Sequence, residues 1–325
     1  MMSESKLQEV SYISFLCHQC LPNFRATTEV KLPSNPTQFH RTLVTANHIL
    51  HYRKVVDAYG HISVRHPDNP DVYIMSGSLP SALVESPADL IHYHVGDSSP
   101  INPEAKPGCQ ERYIHGEMYK RFANVISIVH SHSEAVLPYT MNRVPMLPTF
   151  HIASFLGIVP YANQDDPGLT ILPGEEVPVF NISRHYERGD QQDMLVNSSK
   201  LGAALASKFV KRRHEGDPPV PPGPNFSVVL MQNHGFTTFG SSIQQAVHRA
   251  VYTHVNAGVQ STAIMLRNAQ LGIQAKYGYT ESRDLKYLTP EQTIGCQAVD
   301  DVTQEKPWRL WVREVEACPL YVNNA

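Results

Sequence analysis

Four side chains in this 325-residue sequence have the types and placement for divalent-metal chemistry. His130 and His132 flank Ser131 at the end of the apolar run "VISIVHSH". Residues two apart on a strand project from one face, so both imidazoles stand together where the strand gives way to a loop. A catalytic metal commonly takes three protein ligands and keeps one position open. The third must come from a distant segment, and His234 is the candidate. It closes another apolar run, "FSVVLMQNHG", and Gly235 behind it permits a tight turn and close backbone approach. Glu111 opens the helical stretch that leads directly into the His-Ser-His strand. A carboxylate there can reach the same open position as acid–base partner.

Each signal is weak alone. The chain holds 17 histidines, and a second His-x-His, His92-Tyr93-His94, precedes an exposed Gly-Asp turn with no carboxylate-bearing helix before it. That pair reads as surface strand; it is the combination around His130 that points to a site. His115 shares a helix face with Glu111 and Tyr119 at i, i+4, i+8 spacing, and is either substrate-facing or a satisfied helix histidine. His48, His151, His248 and His254 read as core or surface residues, and Glu117 as solvated. Cys17 and Cys20 form a CxxC without two further ligands at matching spacing, and read as reduced cysteines.

The positioning elements follow from periodicity. Residues 36–56 have helical spacing of Phe39, Leu43, Ala46 and Leu50. Segments 60–67, 71–77 and 89–97 read as three short strands in an antiparallel meander, with Ile62 and Val64 inward. A helix from 109 ends near Ala123-Asn124 and feeds the His-Ser-His strand. Further helices are expected over 198–212, capped by Ser198 or Ser199, over 241–272, capped by Ser241 or Ser242, and around Trp308 and Trp311. Residues 216–224 read as a stiff polyproline connector. The expected organisation is an N-terminal arm (1–35), a main domain (36–275) and a C-terminal helical tail (276–325) packed on the domain or a neighbouring subunit.

Composition narrows the class. Apolar residues at 42% and charged residues at 18% fit a soluble globular chain. A net charge of −3 gives no field favouring nucleic acid or an anionic membrane. No apolar stretch is long enough to span a bilayer. Five scattered cysteines and no basic leader point to a reducing, cytoplasmic setting. No G-x-G-x-x-G or P-loop pattern is present.

"GHISVR", "ERYIHGEMYKRF…VISIVHSHS" and "LMQNHGFTTFGSSIQQAVHRAVYTHVNA" together resemble the class II aldolase/adducin family, of the fuculose-phosphate aldolase type, over about residues 37–270. The resemblance implies an α/β fold, a three-layer α/β/α sandwich around a largely antiparallel central sheet. It implies a homotetramer with active sites at subunit interfaces, a small-molecule substrate, Glu111 as acid–base residue, and His130, His132 and His234 on one divalent ion per subunit. Zinc is foremost; manganese, cobalt and iron also suit imidazole ligands. The family's Gly-Asn-x-Ser loop is here Gly60-His61-Ile62-Ser63, and the serine-rich segment before its glutamate is Gly108-Cys109-Gln110. Hydroxyl donors for phosphate are thus reduced, although Ser76-Gly77 can still bind an oxyanion. The pattern looks closer to the family's decarboxylase-like branch, which acts on hydroxylated aromatic or unsaturated oxo-acids. Gly60, His61, Ser76, Gly77 and His115 are the expected substrate-binding residues, with His61 facing a substrate carboxylate. The expected function is a metal-dependent carbon–carbon lyase. An aldolase on a sugar-phosphate-like substrate, a non-haem iron oxygenase and a non-catalytic adducin-like domain are the other readings.

Overall fold

Seven strands form one sheet in the computed structural model, which describes residues 36–156, 176–211, 223–277 and 285–325. The expected N-terminal arm, its CxxC and most of the polyproline connector lie outside the described residues. Residues Leu32–Ala325 form one compact unit.

The strands are β1 (His61–Arg65), β2 (Val72–Ser76), β3 (Leu90–His94), β4 (Ser127–Ser131), β5 (Val179–Phe180), β6 (Val228–Met231) and β7 (Gly235–Gly240), in sheet order β3-β2-β1-β4-β7-β6-β5. Every pair is antiparallel except β5 with β6. The helices are α1 (Pro36–Tyr52), α2 (Arg112–Arg121), α3 (Leu137–Met141), α4 (Ser199–Ala206), α5 (Ile243–Lys276), α6 (Pro290–Thr303) and α7 (Glu305–Glu316).

The meander of β1, β2 and β3 is present as its alternation implies. β1 is nevertheless buried along its whole length, not on one face only. The reason is a helical layer on each side of the sheet. Ile62, Val64 and Val129 pack into a core with Leu43 and Leu50 of α1, Val247 and Ala250 of α5, and Trp311 of α7. Ile128 and Val229 face the opposite core, with Ile114 and Met118 of α2 and Leu201 and Leu205 of α4. The architecture is therefore an α/β/α sandwich, and His61 and Ser63 of β1 and His130 of β4 face the α2 layer.

Two helix boundaries and one strand differ from the sequence reading. Helix α2 starts at Arg112 and ends at Arg121, with Glu111 as its N-cap residue. Helix α5 continues to Lys276. Strand β7 was not expected; its Thr237-Thr238 pair lacks an apolar alternation, yet it pairs with both β4 and β6. The C-terminal segment packs on the domain: Trp308, Trp311 and Val315, spaced along one face of α7, are buried in the α1/α5 core, and Asn324 N–H donates to the Glu85 carbonyl at 2.8 Å.

The turn between β6 and β7 places His234. Asn233 adopts a positive φ of 55° and Gly235 one of 153°. A Cβ on Gly235 would lie 2.0 Å from the Ser131 carbonyl oxygen. This close approach is what sets His234 against the end of β4. Gly235→Ala is expected to destabilise the protein by ~1–3 kcal/mol through backbone strain and displacement. Thermal unfolding checks this, and an unchanged melting temperature would contradict it.

Candidate metal and catalytic site

β4 is paired with β1 on one side and β7 on the other, and the register puts His61, His130 and Thr237 in one cross-strand row. His130 is fully buried. Its Nδ1 lies 3.3 Å from the Thr237 hydroxyl oxygen, and that hydroxyl in turn donates to Met231 Sδ at 3.3 Å. Thr237 has one proton and directs it to sulfur, so it accepts from His130 Nδ1–H. His130 Nε2 is left as a bare lone pair, the form a metal ligand requires.

That lone pair has close company. His132 Nε2 lies 2.9 Å from His130 Nε2 and 2.9 Å from His234 Nε2. Glu111 adds its carboxylate, with Oε1 at 3.4 Å from His234 Nε2 and Oε2 at 3.5 Å from His130 Nε2 and 3.9 Å from His132 Nε2. One ligand atom from each of the four residues falls within 4.8 Å of all the others. A neutral imidazole carries one proton and one lone pair, so three converging Nε2 atoms cannot all satisfy one another. A divalent cation accepts all three lone pairs, and an imidazole-plus-carboxylate donor set suits zinc and its neighbours. The residues present therefore fit the metal that the sequence implies.

Glu111 is 5% exposed. Burial pushes its carboxyl up, but a hydrogen bond and charge interaction with His234, the charge of His61 and the Val196 N–H outweigh this and hold it below the usual carboxylate range. Val196 N–H donates to Oε1 at 3.1 Å. Oε1 thus lies between Val196 and His234, and Oε2 faces His130 and His132. The N-terminus of α2, at which Glu111 sits, also favours the anion.

Burial works against protonation of His130, His132 and His61. Burial lowers His130 well below the ordinary imidazole value, with His132, His234, His61 and His115 adding repulsion. Burial and His234 lower His132, against the opposing pull of Glu111 and Asp57. Burial brings His61 to about 4 even though Glu111 pulls the other way, and His132 and His234 reinforce burial.

A cavity of about 390 Å³ opens beside the cluster, lined by Gly60, His61, Ser76, Gly77, Glu111 and His132 together with Tyr59, Cys109, Gln110 and Leu195 among others. Four of the five residues expected to bind substrate therefore reach one cavity. His115 does not. It is 0% exposed, with Nε2 2.7 Å from His61 Nδ1 and Nδ1 2.6 Å from Ser63 Oγ, and so lies behind His61 rather than facing substrate. Glu117 departs likewise from expectation. It is buried under α4, where Gly202 packs close to its side chain, and pairs with Lys120 at 3.5 Å. Of the histidines read as core or surface, His48 and His248 are buried and His151 is exposed.

The sequence reading did not find Thr237, Val196 or Ser63. Their contributions are a hydroxyl, a backbone N–H and a hydroxyl again, none of which has a spacing signature. A second cavity of about 440 Å³ on the other side of His132, lined by Lys54, Asp57, Ser133 and His254 among others, was also not expected.

Residues 41–261 match the model of the class II aldolase and adducin N-terminal domain. The chain is 37% identical over 285 residues to "Decarboxylase tropJ" of Talaromyces stipitatus, a match covering 88% of this chain and 97% of that protein. Among solved structures, an aldolase II superfamily protein from Pseudomonas syringae superposes with a TM-score of 0.59 at 16% identity, covering 89% of this chain and 97% of the other. L-fuculose 1-phosphate aldolase from Glaciozyma antarctica gives 0.57 at 18% identity, covering 93% and 97%. These two similarities concern the fold.

The buried neutral histidines have a consequence for stability. On unfolding, His61, His115 and His130 regain ordinary values near 6.5, so below that pH the unfolded chain binds more protons and stability rises with pH. Stability is lost as pH falls from about 6.5 towards about 4, the value for folded His61. Chelator-treated protein should melt at progressively lower temperature from pH 7 to pH 5, with a shallower fall in His115→Gln. A flat profile over that range would contradict the assignment.

Proposed function

The chain belongs to the class II aldolase and adducin family, and on that premise we propose that it is a divalent-metal-dependent decarboxylase of a hydroxylated aromatic or unsaturated oxo-acid. The observation that carries this reading is the convergence of three histidine Nε2 atoms and the Glu111 carboxylate beside a cavity that, among the described residues, is lined by no lysine or arginine. A phosphate dianion is best held by several charged and N–H donors. This cavity offers hydroxyls, an amide and apolar walls, which suit a ring bearing hydroxyl and carboxyl groups. The similarity to a protein named as a decarboxylase supports the same choice.

His130, His132 and His234 would hold the ion, which when bound supplies Lewis-acid stabilisation of the charge left on the substrate as carbon dioxide departs. The remaining chemistry belongs to the chain. Glu111 Oε1 is anchored by Val196, leaving Oε2 to move protons. Held as a carboxylate, Oε2 takes a proton from a substrate hydroxyl and returns one to the carbon that has lost its carboxyl group. Net uptake of one proton from water balances the conversion of the carboxylate to carbon dioxide and a carbon–hydrogen bond. Glu111 is 5% exposed, which keeps this carboxylate largely out of water. Assembly as a cytoplasmic homotetramer is part of the same proposal, supported by the exposed apolar residues Met265, Leu266 and Ile273 on α5.

The test is carbon dioxide release from a panel of mono- and dihydroxybenzoic acids by protein loaded in turn with zinc, manganese and cobalt. Release from at least one acid, lowered about a hundred- to ten-thousandfold in Glu111→Gln with bound metal retained, is the expected result. Undiminished turnover in Glu111→Gln would exclude the assigned role.

A further inference from the structure

His61 Nε2 is buried and has no hydrogen-bond partner, although the other ring nitrogen belongs to a continuous buried chain. That chain runs from His61 Nδ1 to His115 Nε2 at 2.7 Å, from His115 Nδ1 to Ser63 Oγ at 2.6 Å, and from Ser63 Oγ to the Tyr119 hydroxyl at 2.7 Å. All four side chains are buried or fully enclosed between β1 and α2.

The direction of the chain can be worked out from one proton per link. The Tyr119 hydroxyl has two acceptors in reach, Ser63 Oγ at 2.7 Å and the Ile126 carbonyl at 3.4 Å. Glu111 Oε2, 4.0 Å from His61 Nε2, decides between the two directions by favouring a proton on that nitrogen; Ser63 then accepts from Tyr119 and directs its own proton to His115 Nδ1. A neutral His115 then carries its proton on Nε2 and donates it to His61 Nδ1. A neutral His61 must carry its proton on Nε2, which stands 4.0 Å from Glu111 Oε2, in a residue that lines the cavity. The opposite direction, with Ser63 donating to Tyr119, would aim the His61 Nε2 lone pair at the Glu111 carboxylate.

We propose that His61 presents a fixed Nε2–H as hydrogen-bond donor to an oxygen anion of the substrate, and that His115, Ser63 and Tyr119 are positioning residues that set this tautomer. His61 Nε2 stands 4.0 Å from Glu111 Oε2, its ring centroid 5.1 Å from that of His130, beside the cavity that would take a substrate carboxylate or phenolate. This assignment rests on the decarboxylase reading for the identity of the anion, but the tautomer itself does not depend on it.

The experiment uses the full chain labelled with ¹⁵N-histidine, with and without zinc. His61 is assigned by the signals lost in His61→Asn. A proton on Nε2 and a bare Nδ1 are expected; a proton on Nδ1 with bare Nε2 overturns the proposal. Because the tautomer can be read without zinc, a failure to take up zinc would count against the metal reading and leave this test in force. Salicylate is the anion probe for zinc-loaded protein. It should shift the His61 Nε2–H signal, and no shift at any concentration would overturn the donor role. His115→Leu, which frees His61 to turn, should weaken salicylate binding about tenfold or more, the expected scale for losing a hydrogen bond to a charged group. His115→Gln, whose amide N–H can still donate to Nδ1, should stay within about threefold on the same scale. Equal affinity in wild type and His115→Leu would show that the buried chain does not position His61.

Discussion

Three imidazole nitrogens held within hydrogen-bond distance, with too few protons to share among them, form the constraint on which the site depends. His132 Nε2 cannot be satisfied by His130 and His234 together while His130 Nδ1 keeps the proton that Thr237 requires. Packing three imidazoles and one carboxylate this closely costs solvation that their mutual contacts only partly return. It becomes favourable when a cation accepts the lone pairs. The low-lying pKa values of His130 and His132 belong to the same arrangement: burial and mutual repulsion keep these rings unprotonated and ready to ligate.

The sheet supplies this arrangement through register. β4 is central, so its neighbours on both sides can add groups to a single row, His61 from β1 and Thr237 from β7. His132 projects just beyond the strand end, and the β6–β7 turn carries His234 to it because Gly235 lets the backbone pass against Ser131. α2 then covers the row from one side and offers two residues one turn apart. Glu111, at the helix start, faces the metal histidines, while His115, a turn further in, secures His61 from behind. One helix therefore places both the carboxylate beside the histidine cluster and the imidazole behind His61.

Much of this was readable from residue type and spacing. The His-x-His pair, the Asn-His-Gly turn and the helix glutamate each have a periodic or turn signature, and their coincidence implied the site. The α/β/α layering was implied by the resemblance, and the antiparallel meander by alternation. What could not be read were relations between distant hydroxyls and backbone groups. Ser63 and Thr237 look like ordinary strand residues until the register places them, and β7 itself has no apolar alternation. His115 illustrates the limit well: its spacing from Glu111 correctly put both on one face, but which of them meets the cavity depends on how far β1 approaches the helix. Glu117 was misjudged because α4, which buries it, is distant in sequence.

The most direct test of the central claim is elemental analysis of protein purified without chelator or affinity metal, beside His234→Ala. About one divalent ion per chain in the wild type, absent from the variant while its fold is retained by circular dichroism, is the result this account predicts for a closed three-histidine site. No bound metal in the wild type after addition of zinc, manganese or cobalt would contradict it, and the histidine cluster would then have to be explained by protonation alone.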